Sequence, residues 1–341
     1  MRKKRTQNKR KKKNKKSYAV KNAAYIAAVI IVAVGAIILA LGGKTEKTGY
    51  LKSDSQKICK DESVILKVFN GTEMCEMNLS EYLNGVVSAE MPASYETEAL
   101  KAQALAARSY TLYKMKNGGC AKYKGADICT SPGHCQAYLS EEELKSAWKE
   151  NFEKYSEKIA QSIEETDGYV ITYNGEVIDA LYSASCAGIT EDSENVFSYA
   201  VPYLKSVESE DNAEDERVFT FKKDELISKL KEVYADIAVN GELKNEIEII
   251  SHYESGRASE VRIGNTRISA QKLRSILKLS STMFEIKTDS DSVSFICKGY
   301  GHGVGLSQVG ANGYAKKGMT AEQIVCHYYT GVRVEKLDNC M

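Results

Sequence analysis

One carboxylate, Glu90, stands where chemistry can be done. Leu83, Val86 and Val87 precede it by seven, four and three residues, so on a helix it lies along the apolar face. Pro92 forces Met91 out of helical geometry, which puts Glu90 in the last turn, where free carbonyls make the local potential negative. Burial and that potential both favour the neutral acid, and a carboxyl that keeps its proton near neutral pH can protonate a leaving group. The alternative is a buried glutamate paired with a base such as Arg108. A second candidate is Cys129-Thr-Ser-Pro-Gly-His134-Cys135. Two thiolates and an imidazole in a Pro/Gly loop suit a tetrahedral metal, zinc above all, with Cys120 or a water as fourth ligand. A disulfide plus a surface histidine is the competing reading. In a third candidate, glycines 299, 301, 303 and 305 surround His302 and permit a backbone that holds the imidazole in a cleft. The Gly-Lys-Ser/Thr ending of a phosphate loop is missing. Cys186 is a conceivable nucleophile with His302, although no base stands beside it in sequence, and a plain turn explains the same run.

These groups are carried by a 341-residue chain whose net charge of +1 hides an asymmetry. Residues 1–21 hold twelve Lys or Arg and no acid, leaving 35 basic residues against 46 acidic in the rest, a balance of −11. Bulk charge therefore excludes nucleic-acid binding by the remainder. The basic block abuts an uncharged run, 22–43, apolar from Ala23 to Leu41. At ~1.5 Å per residue its helix spans about 29 Å, close to the hydrocarbon core of a bilayer. The expectation is a single transmembrane helix with a cytoplasmic tail (1–21), a tether (44–61) and an extracytoplasmic domain (62–337). Cleavage after Ala40-Leu41-Gly42 is the competing reading. Nine cysteines in an exported chain invite disulfides, and an odd number leaves at least one unpaired within the chain.

The positioning elements read as α+β, with helices and hairpins in two lobes and a strand-rich middle lobe over about 168–298. Asn70-Gly71 and Asn174-Gly175 each divide two strand-like runs and predict hairpins. A helix is expected from about Ser80 to Glu90, and an alanine-rich helix capped by Ser94 runs to Gly118-Gly119. Leu144, Trp148, Phe152, Tyr155, Ile159 and Ile163 form one amphipathic stripe behind a Ser140 cap. Residues 221–237 read as a helix, 246–263 as strands, 270–277 as a short helix and 283–298 as two strands. Ser307 is expected to cap a helix closed by Gly318, and Thr320-Ala-Glu-Gln323 is a capping box for the last one.

Two motifs carry a family resemblance. Gly85-Val-Val-Ser-Ala-Glu90-Met-Pro92 with Glu98-Ala-Leu-Lys101-Ala-Gln103-Ala-Leu-Ala-Ala-Arg108-Ser-Tyr110 resembles the signature of the stage II sporulation protein D family. Gly301-His302-Gly303-Val304-Gly305-Leu306-Ser307-Gln308-Val309-Gly310-Ala311 with His327-Tyr-Tyr-Thr-Gly331 is similar to that family's C-terminal signature. The resemblance spans about residues 62–337. Cys186-Ala187 departs from it, since the family more often has Ser or Gly followed by Gly. What it implies is a lytic transglycosylase that cleaves glycan strands of peptidoglycan stripped of stem peptides, during septal remodelling and engulfment in sporulation. Glu90 is then acid and base in turn. Arg108 orients it or binds substrate, and Ser185, Thr190 and His302 line the cleft. The implied partners are a cell-wall amidase and a multi-span membrane protein. Some relatives enhance an amidase instead, which implies a binding module as the alternative. The metal-like loop gains nothing from the resemblance.

Overall fold

Residues 60–211 and 216–337 are described by the computed structural model and belong to one unit, Lys57–Met341. The basic tail, the apolar run, the tether up to residue 59, Cys59 and Cys340 lie outside the described residues. Among those described, no helix is long and apolar enough to cross a membrane. Seven cysteines there are free thiols, so the disulfides that export invites are not formed among them.

The first hairpin, β1 (Ile65–Phe69) with β2 (Met74–Asn78), pairs antiparallel as its Asn-Gly turn predicts. Asn78 then caps α1 (Leu79–Glu90), accepting from the Glu81 N–H at 2.8 Å. Met91 is extended, with φ −129° and ψ 133°, and so Pro92 ends the helix at Glu90. α2 (Thr97–Lys116) begins two residues later than the Ser94 cap would place it. The Tyr95 N–H closes a turn on the Pro92 carbonyl and the Glu96 N–H donates to Asn312, so tertiary contacts set the start. Ala99, Ala102, Ala104, Ala106 and Ala107 are fully buried on α2, the central helix of the first core.

After the short β3 (Ile128–Cys129), parallel to β1, the expected single helix is two: α3 (Glu141–Trp148) and α4 (Phe152–Glu164). Lys149 between them has φ +49°, which breaks the helix while leaving the apolar stripe on one side. Next, β4 (Tyr169–Tyr173) turns into β5 (Glu176–Val177) through Asn174 at φ +53° and Gly175 at φ +80°, the two left-handed positions of a type I′ turn. β6 (Tyr182–Ser183) and α5 (Ser193–Phe197) lead to β7 (Glu216–Lys222).

β7 corrects the expected helix over 221–237, because only α6 (Lys223–Lys231) is helical there. A second core follows, built from α7 (Leu243–Glu246), β8 (Ile247–His252), β9 (Ala258–Ile263), β10 (Thr266–Ser269), α8 (Ala270–Leu277), β11 (Phe284–Thr288) and β12 (Ser292–Lys298). Its sheets run β10-β9-β8 and β11-β12-β7, and its buried side chains extend from Phe221 to Cys297. Val170, Ile171, Ile178, Ala180 and Leu204 pack in the first core, so the second lobe is shorter than the 168–298 read from sequence. The chain returns through β13 (Leu306–Ser307), parallel to β6, into α9 (Gln308–Lys316), α10 (Ala321–Tyr328) and β14 (Arg333–Lys336), which pairs with β4. Ser307 and Thr320 cap α9 and α10 as their spacing predicts. The described chain is thus a mixed α+β fold.

Candidate active site

α1 carries Glu90 to one wall of a cavity of about 630 Å³. The other walls come from distant segments: Tyr110 of α2, His134 to Gln136, Tyr182 and Ser183 of β6, Phe197, Arg274 of α8, Tyr300 to His302, and Gln308 of α9. Glu90 is the one carboxylate among these lining residues. Its Oε1 accepts from the Ala137 N–H at 2.7 Å and its Oε2 from Gln308 Nε2 at 3.2 Å. Desolvation pushes its pKa up, while the two donors pull it back by stabilising the charged form. The desolvation is the larger effect, so Glu90 holds its proton to higher pH than an ordinary glutamate. Gln308 Nε2 also lies 3.4 Å from Gln103 Oε1, tying Glu90 to α2.

Hydrogen bonds hold the opposite wall. Tyr182 Oη donates to Gln136 Oε1 at 2.7 Å, and Gln136 Nε2 donates to Thr111 Oγ1 at 2.9 Å. Burial, then the nearby Glu90, pushes the Tyr182 phenol well above its usual range, so it stays a neutral donor. His302 accepts the Val304 N–H on Nδ1 at 3.0 Å and meets Phe197 edge-on, with ring centres 5.5 Å apart. Burial, followed by the charges of Arg274 and Arg257, lowers its pKa to about 4, and His302 is therefore neutral at pH 7. Gly301, at φ +115°, gives the loop its path, since a Cβ there would lie 2.6 Å from the Ser183 Cβ.

The structure brings Glu90, His302, His134 and Cys135 to this cavity, and Arg108, Cys129, Ser185, Cys186 and Thr190 are not among its lining residues. Arg108 was expected to orient Glu90 or to bind substrate. Its guanidinium is instead fully buried against Asp61, with Nε at 2.8 Å and Nη2 at 2.7 Å from the carboxylate oxygens. Its remaining donors go to Thr166 and to the Tyr169 and Ile163 carbonyls. Thr190 is also fully buried, its Oγ1 accepting from the Val207 N–H at 2.8 Å, so it braces a loop and lines no cleft. Ser185 donates to Asp211 Oδ1 at 2.9 Å, and Asp211 Oδ2 takes the Cys186 N–H and the Ser307 hydroxyl. Asp211 thus locks the Ser185 loop to the start of α9, one residue before Gln308. Cys186 is buried, and burial raises its thiol to about 11, which removes it as a nucleophile at neutral pH. Sequence reasoning missed Ala137, Tyr182, Arg274 and Gln308. Gln308 stood inside a noticed motif, whereas Ala137 acts through its backbone and leaves no side-chain signal.

Cys120, Cys129, His134 and Cys135 gather their ligand atoms within 4.8 Å of one another. His134 Nδ1 lies 3.5, 3.6 and 3.2 Å from the sulfurs of Cys120, Cys129 and Cys135, and the Cys135 and Cys120 sulfurs are 3.9 Å apart. A tetrahedron with about 2.3 Å metal–sulfur and about 2.05 Å metal–nitrogen bonds has edges of roughly 3.8 and 3.6 Å. The four residues therefore fit a metal ion, with Cys120 as the fourth ligand. Cys135 is two residues from Ala137, whose N–H holds Glu90, so anything that fixes this loop also fixes the acid.

A half-buried acid in a cleft of an α+β protein, flanked by these two motifs, defines the class, and the chain belongs to the stage II sporulation protein D family. The family model described as Stage II sporulation protein matches residues 70–173. The chain is similar to stage II sporulation protein D of Bacillus subtilis (strain 168), with 34% identity over 263 residues, 76% of this chain and 75% of that one. Its counterpart in Bacillus amyloliquefaciens is 31% identical over 303 residues, 87% of this chain and 86% of the relative. The amidase enhancer of Bacillus subtilis (strain 168) is 28% identical over 300 residues, 73% of this chain but 39% of the enhancer.

Proposed function

We propose that this protein is a lytic transglycosylase that cleaves denuded glycan strands of peptidoglycan during sporulation. The observation that carries the reading is Glu90, its pKa raised by burial, as the one carboxylate among the described residues that line the cavity. A hydrolase of the usual two-carboxylate kind needs a second acid for water or for a covalent intermediate. A transglycosylase does not, because its nucleophile is the substrate's own 6-hydroxyl. Glu90 protonates the glycosidic oxygen as the C1–O bond breaks. As carboxylate, held by the Ala137 N–H and the Gln308 amide, it then takes the proton from the 6-hydroxyl that closes on C1. Full-length protein in detergent, given denuded strands, is expected to release 1,6-anhydromuramoyl ends. Reducing muramic acid ends in their place would refute the mechanism.

Zinc is the proposed ion for the Cys120, Cys129, His134 and Cys135 group, whose three sulfurs and one nitrogen are its preferred donors. Four protein ligands make such a site structural, and its contribution is to fix the loop from Cys129 to Ala137. The apolar run 22–43 and its basic flank support a single-pass anchor in the cell membrane, tail cytoplasmic and catalytic domain extracytoplasmic, on the mother-cell side of the sporulation septum. An amidase supplies denuded strands in this scheme, and a multi-span membrane protein of the engulfment machinery is the further partner. The similarity to an amidase enhancer favours one second reading, a glycan-binding module that stimulates an amidase without cleaving. Glycan binding with amidase stimulation and no new ends would establish it.

A further inference from the structure

Arg274 stands on α8 in the second lobe, and its guanidinium lines the same cavity as Glu90, His302 and Gln308. Its Nε is buried without a hydrogen-bond partner, and its side chain makes no ion pair or hydrogen bond among the described residues. Arg274 is half-buried, and shielding a guanidinium N–H from water without a partner is costly, so its retention points to a negatively charged ligand. Among the described residues the cavity supplies no such ligand itself. Glu90 is the only carboxylate among the described lining residues, and both its oxygens are engaged by Ala137 and Gln308. His302 is neutral and does not compete for an anion. Arg257 is fully buried, donates to the Ile189 and Cys186 carbonyls and is attracted to the nearby buried Glu191 and Asp211, so its charge is balanced within the protein and leaves Arg274 as the cation that faces the cavity.

A strand of uncharged amino sugars offers this guanidinium nothing to pair with, but a muramoyl residue does. Hydrolysis of the amide between the lactyl group and the stem peptide breaks the C–N bond, sends the amine away with the peptide and leaves a carboxylate on the sugar. We propose that Arg274 binds this lactyl carboxylate and thereby selects denuded glycan, a proposal that rests on the glycan reading above. A carboxylate takes the guanidinium fork with two charge-assisted bonds, whereas the amide of an unprocessed strand offers one neutral carbonyl. Arg274 is thus a specificity-determining residue, and the reaction that must supply its substrate is an amide hydrolysis.

The test measures binding, so that it stands apart from cleavage. Full-length Glu90→Gln protein in detergent is titrated by calorimetry with a muramoyl tetrasaccharide bearing free lactyl carboxylates, and with the same sugar as its lactyl N-methylamide. The carboxylate form is expected to bind at least about tenfold more tightly, the low end for a hydrogen bond to a charged group. That preference should shrink as salt is raised. Adding Arg274→Gln should abolish it through lost affinity for the carboxylate form alone, and Arg274→Lys should retain part of it, which separates charge from folding. An unchanged preference in Arg274→Gln would overturn the proposal, and failure of both sugars to bind would overturn it together with the glycan reading. Preference without cleavage by the wild type would leave Arg274 in place and remove only the transglycosylase.

Discussion

Replacing Arg108 by Met should damage stability and leave the chemistry of each folded molecule intact. The substitution keeps most of the aliphatic stem and removes every bond that the guanidinium makes. Asp61, 2% exposed, would lose three contacts of 2.7 to 2.9 Å and remain as a buried carboxylate beside apolar atoms. Breaking a buried pair by deleting one partner costs about 3–5 kcal/mol, most of it the uncompensated charge. At about 2 °C per kcal/mol for a unit of this size, melting should fall by roughly 6–10 °C. Adding Asp61→Leu should recover much of the loss, because two apolar groups leave nothing unpaired. The assays are thermal melts of the single and double variants, paired with glycan cleavage at 15 °C scaled to the folded fraction. A melt within 2 °C of wild type, with cleavage abolished, would refute the structural role and return Arg108 to the substrate.

Three further outcomes follow from the site. Gln308→Leu removes a donor that stabilises the Glu90 carboxylate, so Glu90 should keep its proton to still higher pH. The alkaline limb of the kcat/KM profile should then move up, and a limb that moves down would contradict the assignment. Glu90 itself binds its proton more tightly folded than unfolded, so its ionisation lowers stability as pH rises from the ordinary glutamate range through its folded pKa. Glu90→Gln should accordingly melt higher relative to wild type at pH 8 than at pH 4, as calorimetry at both values would show. Purified protein should carry one zinc per chain by elemental analysis, and Cys129→Ser should lose it. If the ion is bound at a hundredfold above its Kd, its loss costs about 2.7 kcal/mol, or roughly 5 °C in melting. Full metal content in Cys129→Ser would rule out the four-ligand site.

Much of the fold was legible where a single turn or cap decides it. Asn174-Gly175 needs two left-handed residues in a row, and Ser140, Ser307 and Thr320 present hydroxyls to helix N-termini, all conditions met within four residues. The misreadings share the opposite cause. Phe219 and Phe221 take strand geometry because they pair across to Phe295 and Val293, more than 70 residues on. The stripe from Leu144 to Ile163 keeps its helical period across a break at Lys149, so periodicity alone cannot show the break. In the site, Glu90 was readable from its own helix and the terminating proline. Arg108 was not, because Asp61 lies 47 positions away and the sequence holds no sign of their pairing. Gln308 and Arg274 reach the cavity only through tertiary packing of segments about 180 to 220 positions from Glu90.

Cleavage of denuded strands by Glu90→Gln tests the central claim most directly. Gln is nearly isosteric with Glu and cannot donate the acidic proton, so release of 1,6-anhydromuramoyl ends should fall by at least about a hundredfold, the lower end for loss of a general acid. Its melt should stay at or above that of wild type. Release at the wild-type rate by folded Glu90→Gln would contradict the account.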